Sequence, residues 1–279
     1  MPLFMRTYRF AVTAGLLLAG LSWVSMSAWA YIPPASFILH EVAKKHLSYS
    51  TIRVRTNVIG LDGNGNPNGV RLREITFANA KDGTLRSWII DEGGRVLYSV
   101  ERVTNVGPKS AKIPVAAEVL FDTNSVRMAS VLKSVGIQIP VGRDANATEE
   151  NTGGDKMSLH RWNHSVAWVL GKTAQLWIEK DTFIPVRVIA PARGESQLYD
   201  FQMENFKYYD EYAYPRLGTL YEVGKKAPIL KAELMDVILD PNTSGAEFPK
   251  ERGEGFTEAG RSVPSQVRDL IETYYRLVR

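Results

Sequence analysis

The chain has 279 residues, 34 basic against 30 acidic side chains, and no cysteine. That zero excludes structural disulfides, thiolate metal sites, thiol nucleophiles and lipidation on an N-terminal cysteine. The net charge of +4 falls to +2 once Arg6 and Arg9 are removed with a leader, which argues against a nucleic-acid partner, since that would call for a clustered basic stripe.

The first element is a leader. Arg6 and Arg9 precede the apolar run Ala11–Trp23, and Ala28-Trp29-Ala30 fits the small-x-small rule for signal cleavage. The run is shorter than the roughly 20 residues a spanning helix needs. Residues 1–30 are therefore expected to be a cleaved signal peptide, and the remainder a soluble protein of the periplasm. Without disulfides the mature chain must hold itself together by burial, feasible at this length because such chains bury roughly three quarters of their unfolded surface.

After Pro33-Pro34, Ser36 is expected to cap a helix to about Leu47, with Ile38, Leu39, Val42, Ala43 and Leu47 on one face. Thr51–Gly60 and Gly69–Asn79 read as strands joined by a loop dense in Asp, Asn and Gly. The loop resembles a calcium loop at Asp62, Asn64 and Asn66, but Pro67 and Arg73 stand where the glycine and the bidentate glutamate belong, so a hairpin tip explains it better. Thr84–Ile90 and Arg95–Val103 follow as strands. Asn124 caps a helix with Met128, Val131, Leu132 and Val135 on one side, ended by Gly136. Arg143–Asp155 reads as a polar loop.

Strands resume at Met157–Trp162, Ser165–Lys172, Ala174–Lys180, Ile184–Ala190, Gln197–Tyr208, Arg216–Val223 and Leu230–Leu239. Pro241–Gly260 reads as irregular, and Ser262–Arg279 as a helix with Val267, Leu270, Ile271, Tyr274 and Leu277 on one side. Short connections between strands imply antiparallel neighbours and a single α+β domain over residues 31–249, with 250–279 as an extension too short for a core of its own.

Chemistry is thinly represented. His160 and His164 flank a turn rather than sharing a helix face, and His40 and His46 lack a metal-binding pattern. There is no G-x-S-x-G elbow and no phosphate-cradling glycine motif. Glu149-Glu150 falls in the polar loop, and Asp200 is expected to face water. Neither an enzyme nor a resident cofactor or metal is expected. What remains is apolar: Ile75 and Phe77, Trp88 and Ile90, Tyr98, Trp168 and Leu170, Leu176 and Ile178, Val186 and Val188, Tyr199 and Phe201 are expected to line the inside of a bent sheet. Leu39 and Val42 from the first helix, and Met128 and Leu132 from the second, would close its mouth. Arg71, Arg73, Arg95, Glu179, Arg187 and Asp200 would face outward.

The run Leu176-Trp177-Ile178-Glu179-Lys180-Asp181-Thr182-Phe183-Ile184-Pro185-Val186-Arg187, followed by Leu198-Tyr199-Asp200-Phe201, resembles the strand–turn–strand of the LolA-like outer-membrane lipoprotein-sorting proteins. Val131–Ile137, Tyr214-Pro215-Arg216 and Val237–Pro241 are similar too. The resemblance spans about residues 36–248. It implies an incomplete, strongly curved antiparallel β-barrel whose helices cover an apolar cavity for lipid chains. It thus implies a periplasmic carrier of lipoprotein or lipid acyl chains, or alternatively an envelope-stress sensor. A monomer is expected, and for the sensor the helix Ser262–Arg279, outside the resemblance, is expected to dock a membrane protein partner. The chain departs from the lipoprotein carrier in having no Arg-Pro after Ile75-Thr76-Phe77 or Trp88-Ile89-Ile90.

Overall fold

The computed structural model describes residues 33–102, 115–139, 157–191, 196–241, 248–250 and 255–277. The expected signal peptide and the whole of the polar loop Arg143–Asp155, with Glu149-Glu150, fall outside them. From Pro34 onward the chain forms one compact unit that includes the C-terminal extension.

Among the described residues twelve strands make one antiparallel sheet: β1 (Thr51–Leu61), β2 (Pro67–Asn79), β3 (Leu85–Ile90), β4 (Val96–Arg102), β5 (Ser158–Trp162), β6 (Ser165–Leu170), β7 (Gln175–Glu179), β8 (Pro185–Pro191), β9 (Leu198–Tyr209), β10 (Tyr212–Glu222), β11 (Pro228–Leu239) and β12 (Gly255–Phe256). Their order is β12-β4-β3-β2-β1-β11-β10-β9-β8-β7-β6-β5. Most neighbours are consecutive hairpins, as the short connections require. The exceptions are β12 on β4 and the central pair of β1 with β11, which brings the first and eleventh strands together.

The helices are α1 (Ala35–Lys45), continued by a 3-10 turn His46–Ser48, then α2 (Val115–Phe121), α3 (Ser125–Ser134), the short α4 (Glu258–Arg261) and α5 (Ser265–Leu277). The Asn124 side chain accepts the amides of Val126 and Arg127 and so caps α3. Gly136 follows it with φ of 82°, the left-handed conformation that ends a helix without steric cost. Ser36 does not cap α1: it lies in the first turn, and Pro34 holds the cap position without a side-chain bond. The stretch expected to be irregular supplies β12 and α4, tied to β4 where Thr257 donates its amide to the Leu97 carbonyl and its hydroxyl to that of Val96.

The sheet must curl. Seven strand spacings separate β4 from β8, roughly 34 Å across a flat sheet. Yet α2, seven residues and only about 10 Å long, packs on β8 while its Glu118 is ion-paired to Arg102 at the end of β4. Bulges at Arg55/Thr56, Ile89/Ile90 and Trp177/Ile178 help to bend the strands. The result is an open, curved α+β fold with its helices on the concave side.

Candidate functional site

Register places each strand residue on one face. Across the first half, Ile52, Val54, Thr56 and Val58 of β1 oppose Ala78, Thr76, Glu74 and Leu72 of β2, and Thr76 opposes Ser87 of β3. Across the second, Leu220 opposes Phe201, Phe201 opposes Val188, Val188 opposes Leu176, and Leu176 opposes Leu170. These positions form the concave face. Its apolar members pack with Leu39 and Val42 of α1, Met128 and Leu132 of α3 and the apolar side of α5 in one continuous core.

Twelve of the seventeen side chains expected to line the hollow belong to that core: Leu39, Val42, Met128, Leu132, Trp168, Leu170, Leu176, Ile178, Val188 and Phe201, with Tyr98 and Tyr199 half-buried at its margin. Five do not. Ile75, Phe77, Trp88 and Ile90 lie on the convex face with Val96, under Phe248, whose ring sits 5.3 Å from that of Phe77. Val186 lies on the same outer side, packed with Ala167, Val169 and Trp177. The reason is plain on β2, where Arg71, Arg73, Ile75 and Phe77 alternate on one side of an unbroken strand and so cannot face opposite ways.

The convex face is therefore not uniformly wet. Arg187 lies over the rings of Trp162 and Trp177 at 5.3 and 4.8 Å and donates two 2.7 Å hydrogen bonds to Asp200. Asp200 is on the outer side as expected, but it is buried there rather than facing water.

On the concave side α5 lies over the floor of β2 and β3. Leu270, Ile271, Tyr274 and Tyr275 are buried. The Tyr274 hydroxyl donates to Glu74 Oε2 at 2.8 Å and Ser87 Oγ donates to Oε1 at 2.7 Å, while the Tyr275 hydroxyl shares its proton between Ser87 Oγ at 3.0 Å and Glu74 Oε1 at 3.3 Å. Thr76 Oγ1 and Ser87 Oγ are 2.9 Å apart. A buried carboxylate is tolerable only when so surrounded by donors. The remaining space beside Tyr274, lined by Thr56, Leu120, Phe201, Tyr214, Pro215, Gly218 and Ala232, is about 10 Å³. That is room for no more than one water.

A second polar cluster pins the helical cover. Arg102 is ion-paired to Glu118 and lies 3.6 Å from Asp122, and Arg127 Nε donates to Asp122 at 2.6 Å. Periodicity cannot reveal these groups, because it reads charge as exposed. Burial, aided by a hydrogen bond to Asp122 and opposed by Arg102, pushes the Glu118 carboxyl up to about 7. Burial works the same way on Asp122, but hydrogen bonds from Arg127 and Glu118 and the charge of Arg102 outweigh it and hold that carboxyl below its ordinary range. His46 is within 2.8 Å of the Asp122 carbonyl, which can only accept, so Nδ1 carries the proton. Burial lowers its pKa to about 4 against that bond.

The two shifts have opposite consequences for stability. Glu118 favours the folded state at low pH and loses that contribution between about 4.5 and 7, because the native form keeps its proton. His46 contributes fully above 6.5 and loses its contribution as the pH falls to about 4, because the unfolded ring takes a proton first. Between 4.5 and 6.5 they partly cancel. Glu118→Gln is expected to unmask the histidine: its melting temperature should climb steadily from pH 4 to 6.5 where the native protein's is flatter. Parallel profiles from thermal melts would contradict this assignment.

Among the described residues no group of three or more histidine and acidic side chains could hold a metal ion. No helix among them is long and apolar enough to cross a membrane. The loop at Asp62 is an Asx turn whose carboxylate accepts the Asn64 and Asn66 amides at 2.8 and 2.9 Å. His160 bonds Ser158 and packs 5.2 Å from the Trp177 ring.

No family model matches the chain, and neither does any curated protein. Solved structures do. A LolA superfamily protein from Nitrosomonas europaea is 11% identical with a TM-score of 0.45, the alignment covering 76% of this chain and 96% of that one. The likeness is one of fold. A domain described as that of an outer membrane lipoprotein-sorting protein from Vibrio parahaemolyticus is 10% identical, TM-score 0.45, covering 77% and 94%. A DUF1329 family protein from Desulfovibrio piger is 9% identical, TM-score 0.43, covering 78% and 98%. Identities and scores this low carry nothing about cargo.

Proposed function

We propose that this protein is a periplasmic carrier that shelters the acyl chain of a lipid or lipoprotein between its concave sheet and its helical cover, without catalysing a reaction. The observation that supports the reading is the nature of the cover. One continuous apolar core on the concave face is closed by short separate helices, α1, α2, α3 and α5, rather than by a second sheet. Such a cover can be displaced piece by piece.

The concave face is packed against the helices, so on this reading the cover has to move before a guest can enter. An open form would expose a large apolar surface to water. A twelve-carbon chain gains about 10 kcal/mol on burial at roughly 0.8 kcal/mol per methylene. Leu270, Ile271, Tyr274 and Tyr275 of α5 together gain a similar amount, about 6–12 kcal/mol at 1.5–3 kcal/mol per side chain. Guest and cover are then near balance, the condition for loading and release.

A sensor docked through the C-terminal helix is the less economical reading, because the apolar side of α5 is already spent on the core. The test is native mass spectrometry of the full chain, exported with its own leader and recovered from the envelope. A mass adduct that fragments to an acyl-chain amphiphile is expected. A bare mass under conditions that preserve lipid adducts on a control carrier would remove the proposal.

A further inference from the structure

We propose that the floor beneath α5 is a binding site for a single-chain amphiphile whose head carries hydrogen-bond donors, a hydroxyl or a primary ammonium, and that Tyr274 and Tyr275 occupy this site when it is empty. The inference rests on the carrier reading and names the chemistry of its guest.

Three observations converge. Glu74 is a buried carboxylate on the concave floor beside Thr76 and Ser87, with Tyr274 and Tyr275 among the donors that reach it from α5. Displacing the helix removes the two tyrosine donors and leaves the carboxylate with Ser87, which stays with the sheet, so an incoming donor can take the place the tyrosines held. Next, Thr56, which opposes Glu74 in register, is 3% exposed, and its Oγ1 has no hydrogen-bond partner among the described residues. It lines the same small gap as Tyr274, so an unused polar group already faces that space. Finally, register separates the charges. Arg53, Arg55, Arg73 and Arg86 lie on the convex face. An anionic head entering under α5 would meet Glu74 with no basic residue of β1, β2 or β3 beside it.

The cover over this floor is built to part from the sheet. α4 is fixed to β4 through Thr257, and Gly260 packs so tightly on Leu97 that a Cβ there would come 1.9 Å from its carbonyl oxygen. Pro264 follows and starts α5 afresh. The anchor is thus α4, and α5 can turn about Val263-Pro264 while its root stays in place. The tyrosine hydroxyls reproduce in the closed form the contacts that a donor-bearing head would make in the open one.

The test uses the full mature chain with three twelve-carbon probes below their aggregation limits: dodecylamine, 1-monolauroylglycerol and laurate. Calorimetry measures affinity, and amide hydrogen exchange over residues 265–277 measures release of α5. Dodecylamine and monolauroylglycerol should bind at least tenfold more tightly than laurate and speed exchange in α5 at least tenfold. Glu74→Gln should abolish the preference for amine over laurate. Tyr274→Phe with Tyr275→Phe keeps the rings but removes the donors, and should strengthen dodecylamine binding several-fold. Binding indifferent to the head, or saturation that leaves α5 exchange unchanged, overturns this inference and leaves the carrier reading standing. Failure of all three probes, together with a bare mass for the exported protein, removes both.

Discussion

Replacing Asp122 with alanine is expected to destabilise the protein by about 3–5 kcal/mol, the cost of removing one partner from a buried ion pair. Asp122 is completely buried and does several things at once. It accepts from Arg127, faces Arg102, and takes the Asn124 amide at 2.8 Å as the chain turns from α2 into α3. Its loss leaves the buried Arg102 with Glu118 as its remaining carboxylate partner in this cluster and releases Arg127 from the helical connection. Because the hydrogen bond and charge of Asp122 help to hold Glu118 up, the glutamate should also titrate nearer its ordinary range in the variant. Urea unfolding gives the energy. A loss below about 1 kcal/mol would show that the cluster relaxes into water and is no anchor.

Leu176→Asp should be at least as damaging, costing about 4 kcal/mol or more and leaving a large fraction unfolded, given total stabilities of about 5–15 kcal/mol. Leu176 is fully buried in the middle of the concave face, between Val188 and Leu170. The sequence casts Leu176 and Trp168 as the lining of a hollow. The structure makes Leu176 a core residue, so the variant reports on folding before it reports on cargo. A variant that folds normally and melts within a few degrees of the native protein would mean that this part of the concavity is open.

Much of the sheet is legible because alternation and turn residues mark it well. The strand limits agree with the residues read for them to within a few positions, and Asn124 and Gly136 bracket α3 as their chemistry demands. The failures have specific causes. From Leu72 to Ala78 nearly every residue of β2 is buried, since Phe248 covers the outside while the core covers the inside. Period-two patterning then loses its contrast, and Ile75 and Phe77 look as inward as any core residue. Helix α2 was invisible for a related reason: Val115–Phe121 is buried all round and has no polar stripe to reveal a helical period. The amphipathic side of α5 is plain in the sequence, but what it covers is set by contacts some 200 residues away, Tyr274 and Tyr275 on Glu74. The acidic and basic groups that matter most, Glu74, Arg102, Glu118 and Asp122, carry side chains that a sequence reading assigns to water.

The pairing of β1 with β11 has a consequence for how the molecule is made. Ser50 and Thr51 donate their amides to Asp240, roughly two thirds of the chain further on. A polypeptide delivered N-terminus first, from a ribosome or through a translocation pore, can assemble β1 to β4 as hairpins but must keep one long edge of β1 waiting. That edge is filled only when nearly everything else has emerged, and α5 comes later still. Such distant pairing makes assembly slow and leaves the oily interior accessible until the last residues arrive.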